Sequence, residues 1–97
     1  MIKKESRYLA NRIYKYLSTN RFFSFVCKEN EKSLMIDLVN NGGTISFLLK
    51  DLSSNIENRF DNPSTGVIET PLEVGHKYML HITSSKAIGS YNIRIKR

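Results

Sequence analysis

A single cysteine in 97 residues, Cys27, excludes an intrachain disulfide and cannot by itself build a cysteine-rich metal site. A reducing compartment is the simpler setting. Glycine and proline are too scarce, at five and two residues, for a collagen-like or low-complexity chain. No apolar run approaches the roughly 20 residues of a membrane span. The opening MIKKESRYLANRIYKYLS carries Glu5, Arg7, Asn11, Arg12 and Lys15 where an export signal needs an apolar core. A cytoplasmic location is expected, and an extracellular one only if an export segment precedes Met1. The length suits one domain with one modest core.

Catalytic patterns are also lacking. There is no G-x-S-x-G elbow, no phosphate-binding glycine loop and no calcium-type acidic run. The carboxylates Asp37, Asp51, Glu57, Asp61, Glu69 and Glu73 are dispersed, without the close pair that glycoside hydrolysis requires. Asp61 and Asn62 in the loop DNPSTG could supply oxygen ligands, or simply cap a turn. His76 and His81 are an odd number of residues apart, so on one strand they point to opposite faces and cannot share a metal; His76 reads better as a turn residue. Cys27 shares a strand face with Phe23 and Phe25, which favours burial over nucleophilic use. No catalytic residue, metal or cofactor is expected.

What the chain does have is basic charge at both ends. Residues 1–21 carry six basic and one acidic side chain, residues 22–85 five and eight, and residues 86–97 four and none. Such asymmetry points to an anionic partner or to solubility.

Residues 7–18 place Leu9, Ile13, Tyr16 and Leu17 on one side of a predicted amphipathic helix behind a possible cap at Ser6, with Tyr8, Arg12 and Lys15 along one flank. From Arg21 the period becomes two. RFFSFVCK, SLMIDLV, TISFLLK, IENRF, VIET, KYMLHIT and SYNIRIK read as short strands. NNGG at 40–43 is the strongest turn signal, and SKAIGS is a second chain reversal. The expected fold is mainly β: an antiparallel β-sandwich or jelly roll of six to seven strands at 21–97, preceded by a basic amphipathic helix at 1–20.

The stretches GGTISFLLKDLSSNI and LEVGHKYMLHITSSKAIGSYNIRI resemble the bacterial pre-peptidase C-terminal type of β-sandwich, over roughly residues 22–97. That family has a glycine turn before a KY-x-L-x-I strand and ends in a GSY-x-I-x-I strand. The resemblance implies a non-catalytic module of secreted bacterial proteins that binds glycans or proteins. The basic N-terminal segment and the absence of an export signal depart from that setting.

If KYMLHI and YNIRIK form a hairpin, Lys77, Met79 and His81 fall opposite Lys96, Arg94 and Asn92. Opposed cations repel by a few tenths of a kcal/mol or more. Such a face is ordinarily just solvated, but an anionic partner would relieve the repulsion. Tyr8, Arg12, Lys15, Lys77, Arg94 and Lys96 are therefore the candidate partner-binding residues. The leading expectation is a non-enzymatic interaction module for a protein or glycan. The competing one is a small basic nucleic-acid-associated or nucleoprotein-inhibiting factor, of the kind a phage or other mobile element carries, acting through its basic ends.

Overall fold

The computed structural model describes residues 6–97, and every regular element in it is a strand. Three are long: β1 (Ser6–Val26), β2 (Ser33–Asp51) and β5 (Lys77–Lys96). Two are short: β3 (Ile56–Asp61) and β4 (Gly66–Pro71). They form one antiparallel sheet in the order β1-β5-β2-β3, with β4 pairing the part of β2 that β3 leaves open.

A straight strand of this length would reach about 70 Å at roughly 3.3 Å per residue. The molecule is only 37 Å in its longest dimension and 18 Å in its shortest, so the long strands must fold over. Two contacts show that they do. Arg7 Nη2 donates to the carbonyl of Val26 at 3.1 Å, joining the two ends of β1. The ring of Tyr91, a residue paired with Leu38, lies 6.3 Å edge-on from that of Phe47, nine positions further along β2. The sheet is thus creased into two layers with the core between them.

The crease crosses all three long strands at one level. Register shifts occur between Tyr14 and Leu17 on β1 and between Asn40 and Thr44 on β2, opposite Ser85 to Gly89 on β5. Positive φ at Tyr16, Gly43, Lys86 and Gly89 supplies the change of direction. A Cβ on Gly43 would sit 2.1 Å from the Lys86 carbonyl oxygen, and one on Gly89 would sit 1.8 Å from that of Val39. Only glycine lets the strands approach this closely.

The core follows the alternation in the sequence. Leu34, Ile36 and Leu38, then Ile45, Phe47 and Leu49, then Tyr78, Leu80 and Ile82, then Tyr91, Ile93 and Ile95 are all buried, joined by Phe25 and Cys27.

Three expectations are corrected. There is no helix among residues 6–20, which belong to β1, and the boundary drawn between residues 20 and 21 falls inside that strand; residues 1–5 lie outside the described residues. The helical spacing is an artefact of bulges. Register shifts between Tyr8 and Ala10 and between Tyr14 and Leu17 reset the period-two parity, so the inward residues are Ala10, Tyr14 and Leu17 at a helix-like spacing of four and three, whereas Tyr16 of the expected stripe is exposed. Ile13, expected on the helix's buried stripe, is 87% exposed. A dozen residues are marginal as an isolated helix, whereas β5 offers a partner along nearly the whole segment.

The expected sandwich or jelly roll of six to seven strands is, among the described residues, one antiparallel sheet of five, because NNGG and SKAIGS crease long strands instead of reversing them. KYMLHI and YNIRIK accordingly lie on one strand, β5, and do not face one another. Lys77, Met79 and His81 pair with Val26, Ser24 and Phe22, while Asn92, Arg94 and Lys96 pair with Asn11, Tyr8 and Ser6. The cation-against-cation arrangement does not exist.

Candidate interaction edge

Strand order sorts charge across the sheet. β1 carries Arg7, Arg12, Lys15 and Arg21, β5 carries Lys77, Lys86, Arg94 and Lys96, and neither has an acidic residue. Asp37, Asp51, Glu57, Asp61 and Glu69 all lie on β2, β3 and β4, accompanied only by Lys50 and Arg59. The two basic ends of the chain become neighbouring strands at one side.

The candidate residues separate into two groups. Arg94 and Lys96 are neutralised by the adjoining strands: Arg94 Nη1 lies 3.2 Å from Asp37 Oδ2, and Lys96 Nζ lies 4.0 Å from Glu69 Oε2. Tyr8 is exposed across from Arg94 on the outer face. Lys77 lies opposite Val26 on the other arm of β5. Arg12 and Lys15 do not share a helical flank with Tyr8. Arg12 is paired with the buried Tyr91 and so belongs to the inner face, while Lys15 sits at the crease with its ammonium 5.6 Å from the Tyr16 ring.

β1 pairs only with β5, so among the described residues its other side is an open edge. Among the described residues, five of the ten exposed large apolar side chains lie on it: Tyr8, Ile13, Tyr16, Phe22 and Val26. Arg12, Lys15 and Arg21 have no carboxylate partner among the described residues. Bulges interrupt the first arm, but from Thr19 to Val26 the register with β5 is unbroken. Edges of this length are usually blunted by bulges and charges. Here the bulges are confined to one arm, leaving Thr19–Val26 regular, with Arg21 its one charge and with Phe22 57% and Val26 47% exposed. Arg21 and Phe22 were not among the candidates. Their signal lay in RFFSFV, where Phe22 and Val26 fall on the face opposite Phe23 and Phe25.

Other polar clusters serve the structure. The Cys27 thiol is buried and donates to the carbonyl of Glu31 at 3.4 Å; burial pushes its pKa up, and the Glu31 carboxylate adds to the shift. A protonated thiol is a poor nucleophile. The His81 ring stacks on Phe22 at 4.1 Å and contacts the Asn20 carboxamide. His76 lies before β5 with Nδ1 2.8 Å from Asp51 Oδ2 and Nε2 3.2 Å from Glu73 Oε2. The carboxylates occupy opposite edges of the ring, so no single point lies among all three donors. No group of three or more metal-ligating side chains suited to one ion occurs among the described residues.

The His76–Asp51 contact ties the loop before β5 to the end of β2. Desolvation would raise the Asp51 pKa, but hydrogen bonds from His76, Ser54 and Ser53 outweigh it and lower it from 3.8 to about 2. The hydrogen bond to Asp51 raises His76 above its ordinary 6.5 despite an opposing desolvation effect. The Asp51 contribution is therefore present above pH 3.8 and lost as pH falls toward 2, whereas that of His76 is full below pH 6.5 and lost as pH rises through its raised value. The urea midpoint should be highest between these limits. His76→Ala should remove the alkaline decline and blunt the acid one; parallel profiles for the variant and the wild type would refute the coupling.

Among the described residues no helix is long and apolar enough to cross a membrane. Comparison with protein-family models and with curated proteins returned no match.

Proposed function

We propose that this chain is a non-catalytic interaction module that captures an extended protein segment along the Thr19–Val26 arm of β1. One observation carries the reading: a bulge-free edge, open among the described residues except where Arg7 holds the Val26 carbonyl, that combines exposed Phe22 and Val26 with Arg21, which has no carboxylate partner among those residues. In strand addition, main-chain hydrogen bonds supply affinity and alternate side chains supply specificity. An edge offers a peptide backbone the groups that a glycan would not use in this way, which favours protein over glycan. The likeness to pre-peptidase C-terminal modules supports a binding role of the same general kind.

An array of synthetic extended peptides of mixed composition tests this against the full chain. Binding is expected for a subset, is lost in a Phe22→Lys, Val26→Lys variant that keeps its circular dichroism, and survives Val67→Lys on β4. Silence across the array, or equal loss from Val67→Lys, contradicts the reading.

The adjacency of β1 and β5 favours a second reading, in which Arg12, Lys15, Arg21, Lys77 and Lys86 hold nucleic-acid phosphates. It requires binding to mixed RNA and DNA that falls steeply with salt. No binding at low salt removes it.

A further inference from the structure

The two arms of β1 repeat one local pattern. Arg12 pairs with Tyr91 and Arg21 with Ile82, both core residues, so both arginines sit on the inner side of the sheet, at its edge. The next residue in each arm, Ile13 or Phe22, points to the outer side and is largely exposed. Each arm thus presents a cation on its inner lip and a large apolar side chain on its outer lip, at adjacent positions. Neither guanidinium has a carboxylate partner among the described residues. The Arg21 guanidinium lies 5.0 Å from the Phe23 ring, a contact that leaves its charge uncompensated.

We infer that the edge selects a partner strand in which an acidic residue flanked by apolar ones meets Arg21 on the inner lip, beside the inward Phe23 and Phe25, and the flanking apolar side chains meet Phe22 and Val26 on the outer lip. This rests on the strand-addition reading and adds the chemistry of the occupant. Directly opposite residues on paired strands share a face, so a strand lying against β1 is read two residues at a time. A continuous block of acids would place half its charge on the apolar outer lip, and a continuous apolar block would leave Arg21 unmatched. One-residue slippage of an alternating strand exchanges its faces, which makes register part of recognition.

The same parity disfavours a second copy as the occupant. Glu57, Asp61 and Glu69 are the acids of β3 and β4, and they pair with Lys50, Ser46 and Met35, none of them among the core residues. These acids lie on the outer face. A neighbouring copy continuing the sheet by simple translation would bring outer-facing acids beside inner-facing arginines. Two β1 edges meeting about a two-fold axis would offer each Arg21 no carboxylate, because β1 contains none. The occupant we infer is a segment of a different protein.

Fluorescence anisotropy with three labelled peptides of equal length tests the inference: alternating Glu and Val, the same residues as one acidic and one apolar block, and alternating Lys and Val. The alternating acidic peptide should bind at least tenfold more tightly than either of the others. Arg21→Glu, at an exposed position, should reverse the preference between the Glu–Val and Lys–Val peptides with the circular dichroism unchanged. Equal binding of alternating and block peptides, both displaced by the Phe22→Lys, Val26→Lys change, would overturn the pattern and leave strand addition standing. Absence of binding by all three, with array peptides still captured at the edge, overturns the pattern too. If nothing extended binds the edge, both fail. Concentration-dependent self-association abolished by Arg21→Glu would identify a second copy as the occupant and refute the choice of a different protein.

Discussion

Arg7→Ala is expected to lower the unfolding free energy by about 3–5 kcal/mol, the usual cost of stripping a buried charge of its partner. Glu31 is 2% exposed, and its carboxylate accepts from Arg7 Nε at 3.0 Å, Arg7 Nη2 at 2.9 Å and the Lys28 amide at 2.7 Å. Arg97 Nε, 3.9 Å away, is too distant to replace the bidentate bond. The same guanidinium reaches the Val26 carbonyl, so its loss also releases one end of β1 from the other. Chemical denaturation of Arg7→Ala beside Arg59→Ala provides the scale. Arg59 and Asp61 form an exposed pair at 3.8 Å, and such pairs contribute at most about 1 kcal/mol. Equal losses in the two variants would show that the Arg7–Glu31 pair does not hold the layers as described. A double change, Arg7→Met with Glu31→Leu, should recover much of the loss, because apolar replacement removes both buried charges together.

Gly89→Ala should be comparably damaging for a different reason. Its φ of +147° is strained for an L residue, at about 1–3 kcal/mol. The added Cβ would also lie 1.8 Å from the Val39 oxygen and 2.8 Å from its carbonyl carbon, both backbone atoms that cannot rotate away. Opening that contact separates β5 from β2 at the crease. A total loss of at least about 3 kcal/mol is expected from a domain whose whole stability is of order 5–15 kcal/mol. Loss below about 1 kcal/mol would mean that the crease is not as tight as the strand spacing requires.

The places where sequence reading succeeded and failed have physical causes. Leu34 to Leu38, Ile45 to Leu49, Tyr78 to Ile82 and Tyr91 to Ile95 were legible as core because an unbroken strand writes its buried face at period two. Phe25 and Cys27 were legible in the same way, as were the short polar strands at 56–61 and 66–71. Residues 7–18 were misread because bulges shift the parity, so the inward Ala10, Tyr14 and Leu17 break the period-two pattern that would have marked a strand. The NNGG and SKAIGS signals mark positive φ, and a crease needs that as much as a hairpin does. Strands near 20 residues exceed the common length of about 5–6, so dividing them was the natural reading.

The interaction edge was partly visible. Basic ends and the outward Phe22 and Val26 are sequence features, but that β1 lies at the sheet's side is set by pairings far apart in the chain. For the same reason the ion pairs of Arg94 and Lys96 could not be seen locally: their partners Asp37 and Glu69 lie on β2 and on the strand beyond it. Arg7 and Glu31 are 24 positions apart and share no motif, so nothing local linked the ends of β1.

The most direct test of the docking edge is residue-resolved amide hydrogen exchange of the full chain with and without a saturating alternating Glu–Val peptide. Amides of Thr19–Val26 that point away from β5 should exchange quickly in the free chain and become protected on binding, while β3 and β4 keep their free-state rates. Protection confined to β3 or β4, or bound-state exchange in Thr19–Val26 identical to that of the free chain, would contradict the assignment of this edge.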